Sequence, residues 1–164
     1  MQYMNKAYLL IGGNVGNRQQ NLHQAVKAID ERCGSVRQQS ALYETAAWGK
    51  TDQQAFLNQA LRIETHFSAP ELLHHVLEVE TSLGRVRDER YGPRIIDIDI
   101  IFFNNDIIDL PSLTIPHPEV QNRRFALAPL EEIAPQLMHP VLHKSIHQLL
   151  LECPDTLEVQ RLKD

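Results

Sequence analysis

Arg85-Val86-Arg87-Asp88-Glu89-Arg90-Tyr91-Gly92-Pro93-Arg94-Ile95-Ile96-Asp97-Ile98-Asp99-Ile100-Ile101-Phe102-Phe103 joins two unlike halves. The first is a charged loop with four arginines in ten residues, in a chain whose net charge is −5. The second alternates with the period of a strand. That period puts Ile96, Ile98, Ile100 and Phe102 on one face and Asp97, Asp99, Ile101 and Phe103 on the other. The two carboxylates then stand side by side, their attachment points about 6–7 Å apart. Like charges about 6 Å apart repel by about 3 kcal/mol at an effective dielectric of about 20, so water, an arginine, a shared proton or a cation must offset them. A lone Asp-x-Asp is most simply a solvated strand end with arginine partners. Four arginines feeding the same strand shift the balance toward Mg²⁺ and a polyphosphate. Mg²⁺ takes one or two carboxylates and completes its shell with water and phosphate oxygens, and arginine forks match phosphate geometry.

Composition narrows the setting. With 164 residues, 43% hydrophobic and 23% charged, the chain fits one soluble domain spanning 1–164 with a real core. An acidic balance, with a pI near 5.9, argues against nucleic acid as a partner. Cys33 and Cys153 have no framework spacing and read as reduced thiols. No leader-like or membrane-spanning stretch is evident, so a cytoplasmic location is expected. A monomer is expected as well.

Outward from the opening stretch, Lys6–Ile11 reads as a first strand and Gly12-Gly13-Asn14-Val15-Gly16-Asn17 as a tight turn into a helix. That turn is neither a dinucleotide fingerprint nor a Walker loop. Leu22, Ala25, Val26, Ile29 and Cys33 mark one helical face, with Gly34 as the stop. Val36–Glu44 reads as a second strand, residues 45–54 as a loop holding the single tryptophan, Trp48, and Phe56–Thr65 as a third strand. Ser68-Ala69-Pro70-Glu71 is a capping box opening a helix with Leu72, Val76, Val79 and Leu83 on one stripe. Glu80 lies beside that stripe and reads as a boundary glutamate paired with an arginine. Beyond the opening stretch, Ile107–Leu110 is a short edge strand and residues 113–118 an extended, proline-stiffened loop. Helices follow over about 122–133 and 144–151. His139, His143 and His147 recur every four residues, but Pro140 interrupts the helix a zinc site there would need. The order strand-helix-strand-strand-helix-strand gives an α+β fold, a ferredoxin-like antiparallel sheet (βαββαβ core) covered by helices, with additional C-terminal helices.

Arg-x-Arg-x-x-Arg-Tyr-Gly-Pro-Arg-x-x-Asp-x-Asp-Ile, as it stands from Arg85 to Ile100, resembles the signature of the 6-hydroxymethyl-7,8-dihydropterin pyrophosphokinase family of folate biosynthesis. The similarity runs from the Gly12 loop to about Pro135, and the family's ferredoxin-like fold agrees with the pattern. The resemblance implies transfer of pyrophosphate from ATP to the pterin hydroxymethyl group, with AMP leaving. It implies two Mg²⁺ ions held by Asp97 and Asp99. Arg85, Arg87 and Arg94 would contact phosphates or assist transfer, with Arg90 and Tyr91 near the same channel. Glu80, Thr114, His117 and Arg123 would line the nucleotide side. Thr45, Ala47, Trp48, Phe56, Asn58, Asp97 and Phe125 would form the pterin side, with Asp97 also a candidate acceptor of the hydroxyl proton.

The residues themselves support the last assignment in part. Two aromatics can sandwich a flat heterocycle, and an asparagine offers a donor and an acceptor to its edge. Three positions depart from the family pattern: Ala46-Ala47 where a proline-containing loop is common, Tyr91 where tryptophan or another aromatic is usual, and Pro118 where some members have an aromatic. Two other readings use the same residues: a Mg²⁺-dependent nucleotide hydrolase or nucleotidyl transferase, and a non-catalytic ferredoxin-like ligand sensor.

Overall fold

The computed structural model describes residues 4–46, 54–84 and 95–163. The chain runs β1 (Asn5–Gly13), α1 (Arg18–Arg32), β2 (Ser35–Gln39), β3 (Tyr43–Thr45), β4 (Phe56–Thr65), α2 (Ala69–Ser82), β5 (Asp97–Phe103), β6 (Ile108–Leu110), β7 (Leu113–Ile115), α3 (Arg124–Ile133), α4 (Ile146–Leu151) and β8 (Val159–Arg161). The main sheet has the order β5-β1-β4-β3-β8, with β2 also paired to β4, and all its pairings are antiparallel. β6 and β7 form a separate hairpin. This is the ferredoxin-like α+β arrangement, extended by two helices and one strand. Among the described residues, no helix is long and apolar enough to cross a membrane.

Local chemistry explains the element ends. Asn17 caps α1, its Oδ1 accepting from Gln20 N at 3.1 Å, and Gly34 N closes the helix onto Ile29 O at 3.2 Å. In the capping box of α2, Ser68 Oγ accepts from Glu71 N while Glu71 Oε1 accepts from Ser68 N. Such a cap stabilises a helix by about 1 kcal/mol. Gly84 follows with φ of +94°, a conformation that stops the helix at little cost only in glycine.

Each face of the sheet has its own core. Ala7, Leu9 and Ile11 of β1, Leu57, Leu61 and Ile63 of β4, and Ile98 and Ile100 of β5 pack under α1 and α2. Leu10, Ala60, Ile101 and Phe102 pack under α3 and α4. Here the simple alternation of β5 fails. Tyr8 pairs with Phe102 but Leu9 pairs with Ile100, so Ile101 is an extra residue in a bulge. The bulge reverses the phase, placing Phe102 under α3 and α4 and Phe103 under α1 and α2, the opposite of strict period two. Asp97 and Asp99 precede it and keep the face that alternation assigns, the one α3 covers.

Two boundaries also differ from expectation. Gly12 and Gly13 belong to β1, paired with Asn58 and Leu57, and the turn begins at Asn14. The strand expected over 36–44 is broken in two, because Ser40 replaces the ladder locally: its Oγ accepts from Ala60 N at 2.9 Å and donates to Ala41 O at 2.7 Å.

Candidate active site

Strand register brings the site together. Gly12 pairs with Asp97 on one side and Asn58 on the other, and Asn58 pairs with Tyr43. Asp97, Gly12, Asn58 and Tyr43 thus form one row across four strands on the α3 face. Asp99, Leu10 and Ala60 form the next row. Gly12 is what lets the first row work. A Cβ there would overlap Asn58 Oδ1 and lie 3.0 Å from Leu57 O, so the Asn58 amide occupies the space above β1 that any side chain would fill. A Gly-Gly pair at a strand end is the local sign of this, but only pairing reveals what the glycine admits.

Thr45 and Phe56 form the neighbouring pair toward the strand ends. Thr45 is buried, and its Oγ1 has no hydrogen-bond partner among the described residues. An orphaned buried hydroxyl costs about 1–3 kcal/mol unless something satisfies it, which a polar ligand edge would do. The chain is pinned as it enters β4: Asn14 Nδ2 donates to Gln54 O at 3.0 Å, and Arg18 Nη1 donates to Ala55 O at 2.8 Å and to Glu44 Oε2 at 2.7 Å. These contacts fix the approach to Phe56. Below the row, Tyr43 Oη donates to Glu132 Oε1 of α3 at 2.7 Å. Burial, then that hydrogen bond, pushes the phenol pKa up, so Tyr43 remains a donor and ties α3 to the sheet.

The nucleotide-side candidates gather along the other edge of β5. Glu80, in the last turn of α2, is buried at 2% exposure and not at the margin of the apolar stripe, and its Oε2 accepts from Ile98 N at 2.7 Å. His117 N donates to Ile101 O at 3.0 Å, seating the 116–118 turn against the same strand. Thr114, in β7, is exposed. Arg123 precedes α3 with its guanidinium over the Phe125 ring, 5.8 Å from the centroid. One nucleotide-side and one pterin-side candidate are therefore in contact, at the seam of the two halves. Arg85, Arg87, Arg90, Tyr91, Arg94, Ala47 and Trp48 lie outside the described residues.

Asp97 and Asp99 are half-buried, and among the described residues no group of three or more histidine, cysteine or acidic side chains forms a metal cluster. A pair of hard carboxylate donors fits Mg²⁺, which leaves most of its positions to water and phosphate, and does not resemble a four-ligand zinc cage.

His117 is held neutral. Its Nδ1 accepts from Glu119 N at 3.1 Å, which leaves Nε2 as the protonated donor. Burial, and then the Arg123 charge, lowers its pKa from 6.5 to about 4, against a smaller opposing pull from Glu119. Between these values the unfolded chain binds more protons than the folded one, so stability rises as pH rises. The contribution is complete above about 6.5 and lost as pH falls through about 4. His139 acts in the same direction. Burial and then His143 lower its pKa, and its Nδ1 accepts from Val141 N and Leu142 N. We expect the melting temperature to drop across this window, and less steeply in His117→Asn, whose amide oxygen can still accept from Glu119 N. Equal slopes for the two proteins would contradict the assignment.

A family model described as 7,8-dihydro-6-hydroxymethylpterin-pyrophosphokinase (HPPK) matches residues 8–135. The 2-amino-4-hydroxy-6-hydroxymethyldihydropteridine pyrophosphokinase of Bacillus subtilis (strain 168) is 42% identical over 134 residues, covering 81% of this chain and 80% of its own. The folic acid synthesis protein FOL1 of Dictyostelium discoideum is 37% identical over 151 residues, covering 92% of this chain but only 23% of FOL1. The crystal structure of Plasmodium falciparum HPPK-DHPS wild type with STZ-DHP superposes with a TM-score of 0.75 at 18% identity, covering 92% of this chain and 43% of that one. That likeness speaks to fold alone, and this chain spans under half of the longer proteins. The match over most of its length, with the identity to the Bacillus protein, shows that the chain belongs to the 7,8-dihydro-6-hydroxymethylpterin-pyrophosphokinase family.

Proposed function

We propose that the chain transfers pyrophosphate from ATP to the hydroxymethyl oxygen of 6-hydroxymethyl-7,8-dihydropterin, giving AMP and the pterin diphosphate. The observation that carries this reading is the row Asp97–Gly12–Asn58 on the face that α3 covers, in a chain of this family. The row places a carboxylate beside an amide able to read a heterocycle edge. Phe56 and Phe125 would supply the aromatic walls, and the Thr45 hydroxyl, without a partner among the described residues, a further polar contact.

On the nucleotide side, Glu80 and His117 are set along β5 beside the two carboxylates, His117 with a neutral N–H donor for a phosphate or ribose oxygen. Arg85, Arg87, Arg90 and Arg94, with Tyr91, close over the triphosphate in this reading, and Thr114 and Arg123 complete that side. The arginines would exclude water and so suppress plain ATP hydrolysis. Asp97 and Asp99 would hold two Mg²⁺ ions. Magnesium supplies charge neutralisation and in-line orientation of the phosphate oxygens when bound. Asp97 lies in the Asn58 row and Asp99 in the next, so Asp97 is the carboxylate beside the pterin wall and the candidate acceptor of the hydroxyl proton. Ala47 and Trp48 would complete the pterin side. In this reading the chain acts on small molecules, as a monomer in the cytoplasm.

Product identity tests it. With ATP, Mg²⁺ and the dihydropterin, AMP is expected only when pterin is present, in step with a pterin diphosphate. ADP would mean that a single phosphoryl group moves. AMP or phosphate released at full rate without pterin would favour a nucleotide hydrolase.

A further inference from the structure

The segment after α4 bears on both walls of the proposed pterin pocket. Arg123 stands at the N-cap of α3 but makes no side-chain capping bond. The acceptor comes instead from far along the chain: Asp155 Oδ2 accepts from Arg124 N at 3.1 Å. The Asp155 carbonyl accepts from Arg124 Nε at 3.0 Å, and its Oδ1 accepts from Leu157 N at 2.9 Å. A carboxylate at this position satisfies an orphan backbone N–H and meets the positive end of the helix dipole. It also divides two adjacent arginines. Arg124 is held by the tail, while Arg123 lies over Phe125.

Shortly after Leu157 the same tail becomes β8 and adds to β3, pairing Val159 with Thr45, Gln160 with Glu44 and Arg161 with Tyr43. One strap thus fixes the first turn of α3, which carries Phe125, and the strand that carries Thr45. The family match ends at residue 135, so this support is built from sequence outside it.

We propose that Asp155 is a positioning residue for the pterin wall. It sets where α3 begins, and therefore where Phe125 stands relative to Asn58 and Thr45, without itself touching substrate. The proposal rests on the pyrophosphokinase reading above and deepens it.

Steady-state kinetics of Asp155→Ala and Asp155→Asn, each with a melting curve, test the proposal. Asp155→Ala is expected to raise the pterin KM about five- to tenfold, as befits a lost helix cap, with the ATP KM within about twofold of wild type. Asp155→Asn keeps an acceptor oxygen and is expected to recover most of the difference. An unchanged pterin KM in Asp155→Ala overturns the proposal. So does a parallel loss of both KM values and kcat that follows the melting temperature and is not restored by asparagine, since a merely structural tail would behave that way. A wild-type protein that leaves the dihydropterin untouched would remove the proposed function and this assignment together. The two failures are distinct, because only the second shows in the wild type.

Discussion

Asp97→Ala and Asp99→Ala are each expected to lower kcat about a hundredfold or more, with melting temperatures within about 5 °C of wild type. Both residues are half-buried at the site end of β5, ahead of the bulge, and neither belongs to either hydrophobic core. Truncating them removes the proposed ligands of Mg²⁺ while leaving the sheet packed. The two variants should differ in one respect. Asp97 shares a row with Asn58, so Asp97→Ala should also weaken pterin binding, whereas Asp99→Ala should leave it close to wild type. Calorimetry of pterin binding, beside single-turnover rates with saturating Mg²⁺ and nucleotide, separates the two. Near-normal turnover by either folded variant would refute the metal role. Equal effects of both on pterin affinity would refute the row assignment.

Gly12→Ala is expected to raise the pterin KM tenfold or more with little change in the ATP KM. The new methyl group would overlap Asn58 Oδ1 and press on Leu57 O. The backbone is held by ladder bonds on both sides of β1, so the Asn58 amide is the part that gives way. Overpacking of this kind costs about 1–3 kcal/mol, and about 1.4 kcal/mol is already tenfold in affinity. The control is a double-mutant cycle with Asn58→Ala. If Gly12 acts by making room for Asn58, its substitution should matter far less once the amide is gone. Additive effects would mean that Gly12 serves the strand and not the pocket.

How much could be read from the residues follows the range of the interactions concerned. β4 over Phe56–Thr65 and the Ser68–Glu71 capping box are written in local chemistry, and both stand where the pattern puts them. The helical stripes are equally local. The bulge at Ile101 is not, because it is defined by how β5 meets Tyr8 and Leu9, some ninety positions earlier. Alternation therefore misplaced Phe102 and Phe103 while placing the two aspartates on the α3 face. β8, three residues long, has no signal of its own and exists because β3 offers it an edge. The Ser40 break and the Asp155 cap are likewise side chains answering backbone groups distant in sequence. For the site, paired carboxylates beside arginines pointed to a metal and a polyphosphate. The pterin came from the family resemblance, because an isolated Phe56 or Phe125 reads from sequence as a packing aromatic and an isolated Asn58 names no ligand.

β5 is an edge strand of the main sheet, and also among its most apolar. Its outward backbone groups are what a second molecule would pair with to extend the sheet, the usual beginning of aggregation at an exposed edge. Two of those groups are already taken, the Ile98 N–H by the Glu80 carboxylate and the Ile101 carbonyl by the backbone amide of His117. Both belong to the positions assigned to nucleotide handling. At Glu80, whose side chain makes the bond, solubility and substrate handling therefore fall on one residue, and a change there that spares the chemistry still bears on whether the protein remains a separate molecule at high concentration.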